Sequence, residues 1–296
     1  MKILIYGSKG WIGGMFVDYL LTKKNEVVLD IVESPNRVDD EFMVYSDLVN
    51  HKPTHVISFI GRTHGVIDNE KVNTIDYLEY PGKLVENIRD NLFSPMILAI
   101  KCSELHIHYT YLGTGCIFNS ENPDTFHNDP EMFHEHSLPN YYGSGYSVVK
   151  GFTDRLMKLF PVLNLRIRMP ISSIPNERNF INKIINYKRI CSIPNSMTVL
   201  DDFFPIFFDL MVKNRVGTYN CTNPGLIEHN EILGYYREIV DPEFTWENMT
   251  LSEQDKILKS SRSNNYLDTK LVSSEYPELK NITESINNIL YKLKDQ

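Results

Sequence analysis

The chain has 296 residues, 42% of them hydrophobic, with 30 basic residues against 38 acidic ones and a net charge of −8. That length builds one large α/β domain or two unequal lobes. The acidic balance, with no cluster of Lys and Arg, excludes nucleic acid and an anionic membrane as partners.

In chain order, residues 2–6 form an apolar strand that meets a glycine turn at once, too short a run for a secretory leader. Residues 12–21 carry helical periodicity, and 27–32 and 54–60 are further strand-like apolar runs. Helical patterning covers 72–101, with breaks expected near Pro81-Gly82 and at Ser94-Pro95. A strand at 106–112, a Pro- and His-rich loop, a helix at 144–160 and a strand at 162–167 follow. Beyond Arg168 the texture changes: Pro170, Pro175, Pro194 and Pro205 separate short elements, with helices near 179–187, 228–239 and 282–292. Strands alternating with helices pair in parallel. The expected fold is α/β, a Rossmann-type doubly wound parallel sheet with a smaller, partly interleaved C-terminal substrate lobe. Residues 1–168 would form the nucleotide-binding domain, with later elements near 201–222 returning to it, and 169–296 mainly the substrate lobe.

No window is long and apolar enough for a membrane span, since 203–211 is broken by Pro205 and Asp209. Cys102, Cys116, Cys191 and Cys221 have neither CxxC nor zinc-like spacing, which suits free thiols in a reducing cytoplasm. His127, His134 and His136 lack paired helical spacing and read as surface residues, so no metal is expected.

Gly7, Gly10 and Gly13 stand in a GxxGxxG turn between a strand and a helix, with Trp11 and Ile12 opening that helix. Such a turn lets backbone N–H groups and the helix dipole face a pyrophosphate, so these five residues are candidates for dinucleotide binding. Arg37, after the second strand, offers a fork for a 2′-phosphate, which favours NADPH. Glu33 would instead suit the ribose 2′-OH of NADH, and a solvated Arg37 is the plain alternative. Asp47 and Leu48 are candidates for the adenine edge.

Tyr146 and Lys150 lie one helical turn apart on one face. An ammonium at that spacing supports a phenol as proton donor to a carbonyl oxygen. The Tyr-x-x-x-Lys pattern recurs at Tyr19/Lys23 and Tyr266/Lys270, but only Tyr146/Lys150 opens a helix downstream of the strand ending in Thr114. Cys116, two residues after Thr114, adds a thiol able to move carbon-bound protons beside the ketone. A cysteine at a strand end is more often a small core residue, and the neighbouring Thr114 distinguishes this one.

Several phrases carry a resemblance: Gly10-Trp11-Ile12-Gly13-Gly14, Thr114-Gly115-Cys116-Ile117-Phe118, Arg166-Ile167-Arg168-Met169-Pro170-Ile171-Ser172-Ser173, Asn179-Phe180-Ile181 with Lys183-Ile184, and Arg262-Ser263-Asn264-Asn265. They make the chain similar to the extended short-chain dehydrogenases/reductases, and within them to the plant nucleotide-rhamnose synthase/epimerase-reductases. The resemblance spans almost the whole chain and departs most around 59–68 and 127–138. The Asn-, Ile- and Lys-rich texture also resembles a giant-virus (mimivirus) member, which would place the protein in a host cytoplasm.

The resemblance implies conversion of UDP-4-keto-6-deoxy-D-glucose to UDP-β-L-rhamnose with NADPH, by epimerisation at C3 and C5 and reduction at C4. It assigns Cys116 and Lys183 as the base/acid pair of epimerisation, and Thr114, Tyr146 and Lys150 to reduction. Asn179 and Arg262 are candidates for gripping the nucleotide-linked 4-keto-6-deoxy sugar, the Arg through phosphate. A sugar 4,6-dehydratase would carry an Asp-Glu pair where Gly115-Cys116 stand, and a nucleotide-fucose synthase a His where Lys183 stands. The alternatives are a single-function dTDP/UDP-4-keto-rhamnose reductase, which Cys116 argues against, and a catalytically silent NADP-binding regulatory subunit. UDP against dTDP, and a homodimer against a monomer, stay open at the level of sequence.

Overall fold

The computed structural model describes residues 1–24, 28–120 and 131–295. Val27, at the start of the second expected strand, and His127 lie outside the described residues.

The first strand, β1 (Lys2–Tyr6), is apolar and buried over four of its five residues. It ends at Gly7, whose φ of 79° only glycine adopts without strain. α1 (Trp11–Lys23) starts immediately after Gly10. A Cβ at Gly13 would collide with the Gly7 carbonyl oxygen, and one at Gly7 would stand 3.0 Å from the Phe59 carbonyl carbon. The turn is therefore tight by construction.

β2 (Asp30–Glu33), α2 (Glu41–His51) and β3 (His55–Ser58) follow. Asp40 caps α2 by accepting the Met43 N–H at 3.1 Å. β4 (Gly65–Ile67) and β5 (Glu70–Val72) form a small antiparallel hairpin through Asp68 and Asn69, both at positive φ. Such a two-residue turn matches the twist of its strands.

α3 (Lys83–Ile88) continues through a π-type turn at 89–93 into α4 (Ser94–Glu104). The break expected at Ser94-Pro95 is thus a widened turn within one helical run. Pro95 sits in the first turn of α4, and the local change to i→i+5 bonding absorbs its missing N–H.

The chain continues with β6 (His108–Thr114), β7 (Met132–Phe133), α5 (Gly145–Met157), β8 (Val162–Ile167), α6 (Phe180–Ile185) and β9 (Arg189–Ile190). α7 (Leu200–Val212) and β10 (Gly217–Asn220) come next. The helix α7 runs on through Pro205, so that proline is not the punctuation its residue type suggests. α8 (His229–Ile239), β11 (Glu247–Asn248), α9 (Leu251–Ile257), β12 (Tyr266–Leu267), α10 (Lys270–Glu275) and α11 (Ile282–Lys294) complete the described chain.

Six strands form one parallel sheet in the order β10-β8-β6-β3-β1-β2. β1 pairs in parallel with β2 on one side and β3 on the other, and β3 with β6. The winding reverses at β1, and ligands of such sheets bind beyond the carboxyl ends of the strands at this point. The Gly7 turn stands there. The Rossmann-type sheet read from the alternating pattern is the one observed.

The chain divides into two compact units. The first comprises Met1–Gly113, Gly145–Leu165 and Phe207–Tyr219, and the second Thr114–Ser144, Arg166–Ile206 and Asn220–Gln296. Leu4, Tyr6, Val44, Val56, Leu98, Tyr109 and Tyr111 pack the core of the first. Ile171, Ile181, Ile184, Met197, Ile232, Ile286 and Leu290 pack that of the second. Among the described residues, no helix is long and apolar enough to cross a membrane.

Gly13→Ala should lower stability by about 1–3 kcal/mol, because the added methyl must displace backbone and not a flexible side chain. Urea denaturation measures this, and an unchanged midpoint would show that the turn is looser than described.

Candidate active site

In the first unit, the glycine turn presents the start of α1. Gly10 N–H donates to the Gly7 carbonyl at 3.0 Å, and no side chain caps the helix. Its first backbone N–H groups are therefore available to an anionic ligand. Trp11 and Ile12 open the helix and are half-buried.

Arg37, after β2, is 59% exposed, but its fork is already held by Asp39 through Nε at 2.9 Å and Nη2 at 3.1 Å. Arg37 also reaches Asp90 at 3.3 Å, and Arg62 and Arg89 reach Asp90 at 2.8 and 2.9 Å. Three guanidiniums thus gather on two carboxylates. Arg62 and Arg89 carried no signal in the sequence, because the loop after β3 and the π-type turn bring them together from separate segments.

Asp47 and Leu48 are buried within α2. The Asp47 carboxylate accepts hydrogen bonds from the Tyr6 hydroxyl at 3.1 Å, the Ser34 hydroxyl at 2.6 Å and the Asn36 amide at 2.8 Å. It is engaged in pinning the loop after β2. Leu48 is 1% exposed and packs in the core.

Tyr146 and Lys150 are both buried on α5, at 9% and 4% exposure. The Lys150 ammonium donates to the Tyr111 hydroxyl and lies 4.5 Å from the centre of that ring. It also reaches the Leu112 carbonyl at 3.5 Å. Burial pushes the Tyr111 phenol well up, so it meets Lys150 as a neutral acceptor. Lys150 is thereby anchored to β6, the strand that ends in Thr114. The sequence pattern found the Tyr/Lys pair and missed Tyr111, which reads as an ordinary strand aromatic.

The second unit begins with the turn that leaves β6. Thr114 Oγ1 accepts the Cys116 N–H at 3.1 Å. Gly115 N–H donates to the Ile167 carbonyl at 2.9 Å, and a Cβ at Gly115 would press on Leu267 Cδ1 at 2.6 Å. Cys116 is a half-buried free thiol, whereas Cys102, Cys191 and Cys221 are buried. Burial pushes those three thiols up, which makes them poor nucleophiles and bases. Arg168 Nη1 approaches Cys116 Sγ at 3.4 Å. Arg168 belongs to one of the shared phrases, but nothing in its spacing marks it as a neighbour of the thiol.

Lys183 lies on α6 within the second unit. Burial, then Arg178, then Arg262 push its amine below the usual lysine range. Asn179 is fully buried and caps this helix, accepting the Ile181 N–H at 3.3 Å while donating to the Ser172 and Ile174 carbonyls at 2.7 and 3.2 Å. Its amide is fully engaged in placing α6. Arg262 is half-buried and bonds the Ser260 carbonyl and hydroxyl at 2.8 and 2.6 Å. His134 pairs with Asp268 at 2.7 Å with half of its side chain exposed, and His136 is exposed. Among the described residues no group of three His, Cys, Asp or Glu could hold a metal ion.

No family model matches the chain. The crystal structure of the UDP-rhamnose synthase from Acanthamoeba polyphaga mimivirus superposes with a TM-score of 0.93, at 51% identity over 99% of both chains. A bifunctional dTDP-4-dehydrorhamnose 3,5-epimerase/dTDP-4-dehydrorhamnose reductase of Arabidopsis thaliana is 39% identical over 98% of this chain and 93% of its own length. The chain belongs to the nucleotide-rhamnose epimerase/reductase family. A dTDP-4-dehydrorhamnose reductase from Clostridium acetobutylicum shares the fold, with a TM-score of 0.79 at 16% identity over 98% of both chains. In this epimerase/reductase, Gly115-Cys116 follow Thr114.

Replacing Lys183 by Met should raise Tm near neutral pH. The folded state holds the proton less tightly than the unfolded state, so the penalty is complete below the folded-state value and vanishes above the ordinary 10.5. The gain in Tm should therefore shrink as pH rises towards that value. A fall in Tm at neutral pH would contradict this account of the burial.

Proposed function

We propose that the chain is a bifunctional 3,5-epimerase/4-reductase that converts UDP-4-keto-6-deoxy-D-glucose to UDP-β-L-rhamnose with NADPH, in a cytoplasm. The observation that carries this reading is the half-buried thiol of Cys116 two residues beyond Thr114, with the Cys116 N–H on the Thr114 hydroxyl oxygen. A reductase alone has no use for that thiol.

NADPH fits the glycine turn, where a Cβ at Gly13 would fill the tight bend before α1. Gly7, Gly10, Trp11, Ile12 and Gly13 would hold its pyrophosphate, and Tyr146 and Lys150 its nicotinamide ribose. Arg37, with Arg62 and Arg89 close by, would face the 2′-phosphate, since three cations on two carboxylates leave positive charge for an added anion. When bound, NADPH supplies the hydride that reduces C4.

The chain's own residues handle protons and charge. Protons at C3 and C5 flank the C4 ketone, so removing either leaves an enolate with its charge on O4. Hydroxyls of Thr114 and Tyr146 donating to O4 stabilise that charge. The Cys116 sulfur takes the carbon-bound proton: an S–H bond forms, the C–H bond breaks, and the electron pair moves to O4. Inversion needs a proton returned on the other face, and the Lys183 ammonium is suited to give it, because its surroundings already favour the neutral amine. In the reductive half, Tyr146 protonates O4, with Lys150 holding the phenol. Arg262 is assigned to the diphosphate, and Asn179 acts by fixing the helix that carries Lys183.

Incubation with UDP-4-keto-6-deoxy-D-glucose and NADPH in deuterated water, followed by NMR, tests the reading. UDP-β-L-rhamnose carrying deuterium at C3 and C5 is expected from the native protein. Cys116→Ala should lose that deuterium by at least about 100-fold while still binding NADPH. NADPH oxidation without deuterium at either carbon would reduce the function to that of a reductase.

A further inference from the structure

Arg168 stands at the end of β8 with 1% exposure, and no carboxylate among the described residues pairs with it. Nη1 donates to Ser263 Oγ at 2.9 Å and points to Cys116 Sγ at 3.4 Å. Nη2 donates to the Ser263 carbonyl at 2.5 Å and to Asn195 Oδ1, while Nε is buried without a partner. These oxygen acceptors are neutral. A buried cation without a counter-charge is costly, so any nearby group able to become an anion is drawn to do so.

Three titratable side chains interact with the Arg168 charge, namely Cys116, Tyr141 and His229. Burial pushes the Tyr141 phenol up to about 12, so it is neutral in ordinary conditions. Burial, then Arg168 itself, push the His229 ring down to about 4, so it carries no charge either. Of the three, Cys116 is the one whose side chain the guanidinium touches, Nη1 to Sγ at 3.4 Å. The other contact on Cys116 is the Thr114 hydroxyl oxygen, which takes its backbone N–H and leaves the sulfur to Arg168.

We propose that Arg168 is the positioning residue for Cys116, holding its sulfur as a thiolate in a fixed orientation for the carbon-acid step. This rests on the reading of Cys116 as the group that moves the C3 and C5 protons. When the thiol ionises, its proton passes to solvent. When the thiolate takes a carbon-bound proton, the guanidinium keeps its own charge and hydrogen bonds to Ser263 and Asn195. Arg168 thus acts through sulfur and exchanges no proton. Met169, the next residue, has a φ of 42°. Thr198 bonds the Arg168 backbone on both sides, through N–H at 2.9 Å and carbonyl at 2.8 Å. The backbone is thereby held where the fork must stand.

The test is the pH dependence of Cys116 alkylation by iodoacetamide, read cysteine by cysteine by peptide mass spectrometry on the full-length protein. In Arg168→Gln the midpoint should move up, because the sulfur loses the positive charge that faces it at 3.4 Å. Arg168→Lys keeps a charge but not a fork reaching both Ser263 and Cys116, and should move it up by less. Deuterium incorporation at C3 and C5 near neutral pH should fall about 10-fold or more in Arg168→Gln and recover at higher pH. An unchanged or lower alkylation midpoint in either variant, with native circular dichroism, would overturn the proposal. If only the lysine variant folds, its midpoint decides. An upward shift in a protein that exchanges no deuterium at C3 and C5 would support the Arg168–Cys116 pairing and reject the epimerase reading instead.

Discussion

The turn that leaves β6 is clamped from outside by the side chain of Asn265. Its amide donates to the Gly115 carbonyl at 3.0 Å and the Phe118 carbonyl at 2.8 Å, and the residue is fully buried. Its own N–H donates to Asn195 Oδ1 at 3.0 Å, the same oxygen that takes Nη2 of Arg168. The backbone of Thr114–Cys116 and the guanidinium that meets the thiol are therefore fixed from one small network. Gly115 fits beneath it because Leu267 fills the space a side chain would need. A buried amide that bonds two backbone carbonyls at once costs the fold heavily when removed.

Charge is carried deep into both units. Lys150 is buried against a neutral phenol and a carbonyl. Burial, then two nearby arginines, pull the Lys183 amine below the usual lysine range. Arg168 meets neutral oxygens and a thiol. By contrast, the arginines after β2 and in the π-type turn are paired with Asp39 and Asp90 near the surface. A cation that meets neutral oxygens and a thiol, as Arg168 does, suits the chemistry proposed above, in which negative charge passes between a sulfur, an enolate oxygen and a phenol. The same arrangement lowers stability, which is the usual relation between a site and its fold.

Local signals made the frame legible in the sequence. Apolar strands alternating with helices gave the sheet, and Gly7, Gly10 and Gly13 marked its switch point because tight turns need glycine at fixed offsets. Tyr146 and Lys150 are set apart from the pairs Tyr19/Lys23 and Tyr266/Lys270 by their place after the strand ending in Thr114. What spacing could not show was contact between distant segments. Tyr111 under Lys150, Arg62 and Arg89 around Asp90, and Arg168 on Cys116 each join residues far apart in the chain. Asp47 and Asn179 looked like ligand contacts because both are polar and near the right elements, yet both are spent on internal hydrogen bonds. Proline was also over-read: Pro95 and Pro205 sit inside helical runs, where a π-type turn or one missing hydrogen bond accommodates them.

The central claim is a division of labour, with sulfur moving the carbon-bound protons and the phenol serving the reduction. Deuterium exchange into UDP-4-keto-6-deoxy-D-glucose by Tyr146→Phe separates the two tasks most directly. Slowed but measurable labelling at C3 and C5, with no NADPH consumed and cofactor binding retained, is the expected result. Near-normal NADPH consumption, or complete loss of labelling in a folded, cofactor-binding variant, would contradict it.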